Sequence, residues 1–111
     1  MNTKSIPKHL LLQIQDEKRG LLFRKAIKFA ADDFSHYIQL EHKIVGHMLK
    51  KMGFRQSRFI EQTIVITKRN QVFDLIDVEI NRDGVLRFHY DITQVFGRWC
   101  ENPNKSHPDD C

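Results

Sequence analysis

A chain of 111 residues, 41% of them hydrophobic and 29% charged, is long enough for one ordinary globular core and too short for two. That balance excludes collagen, coiled-coil and long disordered compositions, and no apolar run approaches the ~18 residues of a membrane span. The net charge of +4 is unevenly spread, since residues 43–69 carry Lys43, Lys50, Lys51, Arg55, Arg58, Lys68 and Arg69 against Glu61 alone.

Near the N-terminus, Ser5 and Pro7 suit the start of a helix, and Leu10, Leu11 and Ile14 share one face at helical spacing. Gly20, after Lys18 and Arg19, reads as that helix's stop. Phe23, Ile27, Ala30, Phe34, Ile38, Val45, Leu49 and Met52 then recur with a period near 3.6, so residues 21–52 are expected to form one long or gently kinked helix. Only Glu41 interrupts this stripe. Gly53, behind Lys50 and Lys51, ends it.

From Phe59 the period changes to two. Three antiparallel strands are expected, at about 59–67, 71–81 and 85–92, joined by turns at Lys68-Arg69-Asn70 and Arg82-Asp83-Gly84. Three-residue loops place Asn70 and Gly84 where a left-handed backbone is needed. They would set Thr67 opposite Gln71, and Asn81 opposite Val85. The fold class is therefore α+β: N-terminal helices packed on a three-stranded meander. Residues 93–99, with Val95, Phe96 and Trp99, should dock back on the core. Residues 1–100 form one domain, and 101–111 a loose tail.

Cys100 and Cys111 are too few for a disulfide framework and lack zinc-ligand spacing. With no signal-type segment, a reduced cytoplasmic chain without cofactor, bound metal or membrane contact is expected. Gly-rich phosphate loops, nucleophile elbows and Ser/His/Asp or Cys/His signatures are absent from the sequence.

Two constellations remain. The expected register lines up Glu61, Asp77 and His89 across the strands, with Glu79 beside Arg87. Two carboxylates and an imidazole ~5 Å apart could tune one another for acid–base work, or hold a divalent metal in a small hydrolase or nuclease. Separately, Lys50, Lys51, Arg55, Arg58, Lys68 and Arg69, with Phe73 for base stacking, could form a basic lip for single-stranded nucleic acid. Asp74 is the odd residue of the apolar strand face and requires a partner there. The leading expectation is a non-enzymatic binding or regulatory module. It would be a homodimer, through the long helix or the apolar half of the second sheet face, with a protein or nucleic acid as partner.

Overall fold

The computed structural model describes residues 6–81 and 84–100. Helix α1 (Lys8–Gln13) and a 3₁₀ turn (Phe23–Lys25) lead to the short strand β1 (Ile27–Lys28). A second 3₁₀ turn (Ala31–His36) opens into α2 (Tyr37–Lys51). Then come β2 (Ser57–Ile66), β3 (Val72–Ile80), β4 (Gly84–Asp91) and α3 (Thr93–Cys100). The strands form one mixed sheet in the order β1-β4-β3-β2, with β1 parallel to β4 and the other pairs antiparallel.

The α+β class holds, but the long helix does not. Only its second half is helical, and the first half is spent on two 3₁₀ turns and a strand. A competing period-two signal lies inside the helical stripe: Ile27 and Phe29 are buried while Lys28 between them is exposed. Pairing with β4 supplies these residues with main-chain partners, including Phe29 N–H to the Asp91 carbonyl at 2.9 Å. Asp33 then fixes the start of the helical region. Its carboxylate accepts the Ala30 N–H at 2.8 Å and contacts His9 of α1 at 2.9 Å.

The end of α2 is as expected. Gly53 adopts φ +88, Gly53 N–H reaches the Lys50 carbonyl and Phe54 N–H the Leu49 carbonyl, the two bonds of a Schellman cap. Gly20 is not a helix stop, for α1 ends well before it. It adopts φ +87 where the chain crosses β4, and its carbonyl accepts the His89 N–H at 2.6 Å. A Cβ there would lie 2.8 Å from Ile27 Cδ1.

The first hairpin has the expected register from Ile66–Val72 to Glu61–Asp77, after which a bulge between Phe59 and Glu61 shifts it by one. Arg58, not Phe59, therefore faces Glu79. The second hairpin is displaced by two residues: Ile80 pairs with Gly84, Glu79 with Val85, Asp77 with Arg87 and Leu75 with His89. Glu79 does not face Arg87, nor Asp77 His89. A two-residue slip keeps every side chain on its own face, so hydrophobic alternation cannot distinguish the two registers. Asn81, at φ +46, takes a left-handed position just after β3, and Gly84 keeps a positive φ of 147° at the start of β4.

Helices α1, α2 and α3 cover one sheet face, enclosing Leu10, Ile44, Ile76, Phe88, Tyr90 and Val95. On the other face, Phe23 and Ala26 pack on Phe73 and Leu75, with the Phe23 and Phe73 rings 4.5 Å apart. The apolar half of this second face is thus filled from within the chain. Val95 and Phe96 dock on the core as expected. The Trp99 side chain and residues 101–111, the expected loose tail, lie outside the described residues.

Candidate functional site

The residues expected to carry chemistry do not converge. Asp77 faces Glu61 on one side and Arg87 on the other. Arg87 grips it with two bonds, Nε to Oδ1 at 2.7 Å and Nη2 to Oδ2 at 2.9 Å. This fork holds the Asp77 carboxyl below its ordinary value and occupies both of its oxygens. His89 stands one row away, opposite Leu75, with Nδ1 2.8 Å from the Gly20 carbonyl, so that nitrogen carries the proton. Among the described residues no group of three His, Cys, Asp or Glu side chains is arranged to hold a metal ion.

The basic residues divide into two groups. Lys50, Lys51, Arg55 and Arg58 lie about the end of α2 and the start of β2, whereas Lys68 and Arg69 form the turn beyond its far end. Ten residues of strand, ~3.3 Å each, set the groups roughly 30 Å apart. Arg58 is paired with Glu79 at 2.9 Å. Phe73 is buried under Phe23 and presents no ring face to a base.

Two unexpected features lie on the helix-facing side. The first is a buried acid pair. Asp74 sits in the row Ile64–Asp74–Tyr90 and is fully buried, as is Glu41 of α2. Gln62 Nε2 donates to Asp74 Oδ2 and, at 3.4 Å, to Glu41 Oε1. Tyr90 O–H donates to the Glu41 carbonyl at 2.8 Å. The remaining oxygens, Glu41 Oε2 and Asp74 Oδ1, are buried without a hydrogen-bond partner, an environment in which two ionised carboxylates side by side are strongly disfavoured. Burial first, then the Asp74 carboxyl, pushes Glu41 far above the usual carboxylate range, so it is the neutral member. The signal was in the sequence: one acid interrupted the helical stripe and one the apolar strand face, and each is the other's partner.

The second feature is strand β2 itself. Its isoleucines were expected in the core. Ile64 and Ile66 do point to the helix-bearing face, but the helical layer stops short of them: Ile64 is 49% exposed and Ile66 64%, and Ile60, in the bulge, is 40% exposed. Phe59 is half exposed, its ring 5.6 Å from that of His42 on α2. Ile38, one helical turn before His42 on the same flank, is also exposed. The main chain of β2 is open too, because it is an edge strand. Thr67 N–H bonds the Gln71 carbonyl, so by ladder alternation the odd residues of β2 bond β3. The N–H and C=O groups of Gln62, Ile64 and Ile66 therefore point outward from the sheet.

The architecture defines a small α+β protein with a mixed four-stranded sheet and one bare, apolar edge. No protein-family model matches the chain, and no curated protein or solved structure matches it either. No described helix is long and apolar enough to cross a membrane.

Proposed function

We propose that this chain is a binding module that takes up an extended protein strand along the open edge of β2. The single observation that carries the reading is the coincidence, in Gln62, Ile64 and Ile66, of outward main-chain groups with exposed apolar side chains. Strand addition uses both at once: the ladder supplies affinity, and alternate side chains supply selectivity. A polyanion would use neither. The split basic groups and the occupied Asp77 oxygens give less support to nucleic-acid binding or to a hydrolase built on Glu61, Asp77 and His89.

Amide hydrogen exchange tests this directly. A synthetic strand with the sequence of residues 60–66, added to the full chain, should slow exchange at Gln62, Ile64 and Ile66 at least tenfold. It should leave the Lys28 amide unchanged. Unaltered exchange at all three positions with millimolar strand would overturn the reading.

A further inference from the structure

Resting on that reading, we infer that the strand β2 receives is β2 of a second copy of this chain, run antiparallel about a two-fold axis at Thr63. The observation that selects this occupant is self-complementarity. With Thr63 on the axis, the outward-bonding residues of one copy meet outward-bonding residues of the other, as an antiparallel ladder requires. Ile64 falls beside Gln62 of the second copy, and Ile66 beside its Ile60. Ile64 and Ile66 of each strand, exposed in the single chain, then lie on the helix-bearing face on either side of the axis, with the bulged Ile60 next to Ile66 of the other copy.

The opposite face agrees. Glu61, the carboxylate of this stretch, meets Val65 and no like charge, and Thr63 meets Thr63 at a closely spaced, non-bonded position. Arg58 lies beyond the bulge and is already paired with Glu79, so it adds little repulsion near Lys68 of the second copy. The flank of α2 bearing Ile38 and His42 lies beside the joint, and the two-fold brings the corresponding flanks toward each other over these isoleucines. Such an interface is isologous, the commonest closed arrangement of identical chains. It joins two sheets of four strands into one of eight, and leaves as outer edges only the short β1 strands.

Of the surfaces the sequence offers for dimerisation, only the Ile38 flank of α2 borders this joint. The apolar half of the second sheet face is covered by Phe23 and Ala26, and the helical stripe at Leu40, Ile44, Val45 and Met48 is buried in the core.

Light scattering on the full chain measures the occupant. At 100 µM the wild type should have twice the 13.2 kDa mass of one chain. Ile64→Lys should halve that mass with an unchanged far-ultraviolet spectrum. Val85→Lys, which alters an equally exposed apolar residue on β4, should leave it doubled. Register is read in a chain whose Cys100 and Cys111 are replaced by serine. There Thr63→Cys should cross-link with itself under mild oxidant at least tenfold faster than Glu61→Cys. A single-chain mass for the wild type, or a doubled mass that Ile64→Lys does not change, overturns the proposal. A doubled mass with equal cross-linking of the two cysteine variants overturns the Thr63 axis. If the chain is single but the 60–66 strand still protects Gln62, Ile64 and Ile66, strand addition stands and the second copy is wrong. Failure of both measurements removes both.

Discussion

The sheet has two edges, and the chain treats them in opposite ways. At β1 the edge is two residues long, and its exposed peptide groups are capped by a side chain. Gln13 of α1 accepts the Lys28 N–H at 2.7 Å and donates to the Lys28 carbonyl at 2.8 Å. One amide thus does what a neighbouring strand residue would do. Ile27 and Phe29 beside it are buried. At β2 the edge is ten residues long, carries no such cap on Ile64 or Ile66, and exposes isoleucines. Proteins commonly blunt edges by shortening, charging or covering them. This one applies those devices at β1 and leaves them off where the main chain and the apolar side chains coincide. Under the proposed function the bare edge is the binding surface, and the closed edge shows that the same sheet contains the means of covering one.

The largest expected contrast uses the same residue type at both edges. Ile27 is fully buried and Ile64 half exposed. Ile27→Ala should cost about 3 kcal/mol of folding stability through lost burial and a residual cavity. Ile64→Ala, measured in urea at a dilution where copies are separate, should cost less than about 1 kcal/mol. Equal losses would mean that β2 is packed as tightly as β1, and the contrast would fail.

The next contrast is in pH. Gln62 ties β2 to the helical layer through the acid pair. Glu41 is protonated in the folded chain and ionised in the unfolded chain at neutral pH, because its folded pKa is raised. Its stabilising contribution is therefore complete below the unfolded carboxylate pKa of ~4.3 and is lost as pH rises above it, by up to about 1.4 kcal/mol per pH unit. Asp77, whose pKa is lowered by Arg87, acts in the opposite direction, losing its contribution as pH falls below the usual carboxylate range. Glu41→Gln keeps a neutral donor beside Asp74. It should flatten the decline between pH 6 and 9 and make the variant more stable than wild type at pH 8 by about 2 kcal/mol. Parallel stability–pH curves for the two chains would show that Glu41 is not held neutral in the folded chain.

Much of this was legible in the residues, for identifiable reasons. Alternation in residues 59–92 marked the strands, and the turn residues Asn70 and Gly84 marked their ends. The glycine and lysines at 50–53 marked the close of α2. Residues 21–36 misled because Phe23, Ile27, Ala30 and Phe34 fit a helix face, whereas Ile27 and Phe29 also fit a strand, and pairing with β4 is a tertiary fact. Register on the second hairpin escaped because a two-residue slip preserves faces. The Asp77–Arg87 fork belongs to the observed register and not to the expected one, which set Arg87 beside Glu79 and Asp77 beside His89. Which strand would be the exposed edge could not be read at all, because Ile60, Ile64 and Ile66 have the same pattern as a core strand. Exposure there depends on where the helical layer ends over the sheet, which is a tertiary fact. The open edge was missed for that reason, and the expected dimer surfaces were placed elsewhere.

The smallest expected effect removes the cap from the closed edge. Gln13→Ala deletes both bonds to Lys28. Both groups then face water, which replaces most of what is lost, so the cost should be about 1 kcal/mol or less. Exchange at the Lys28 amide should accelerate, since its acceptor is gone, while the Ile64 amide stays as it was. The variant should not form assemblies larger than wild type. A two-residue strand offers too short a ladder to template a new one, whereas β2 offers an alternating run with apolar side chains attached. Light scattering on Gln13→Ala beside wild type therefore separates two ideas about edges. If uncapping β1 produces larger species, exposed main chain alone is sufficient to recruit a strand. If it does not, recruitment at β2 depends on the isoleucines, and Ile64→Lys is the variant that abolishes it.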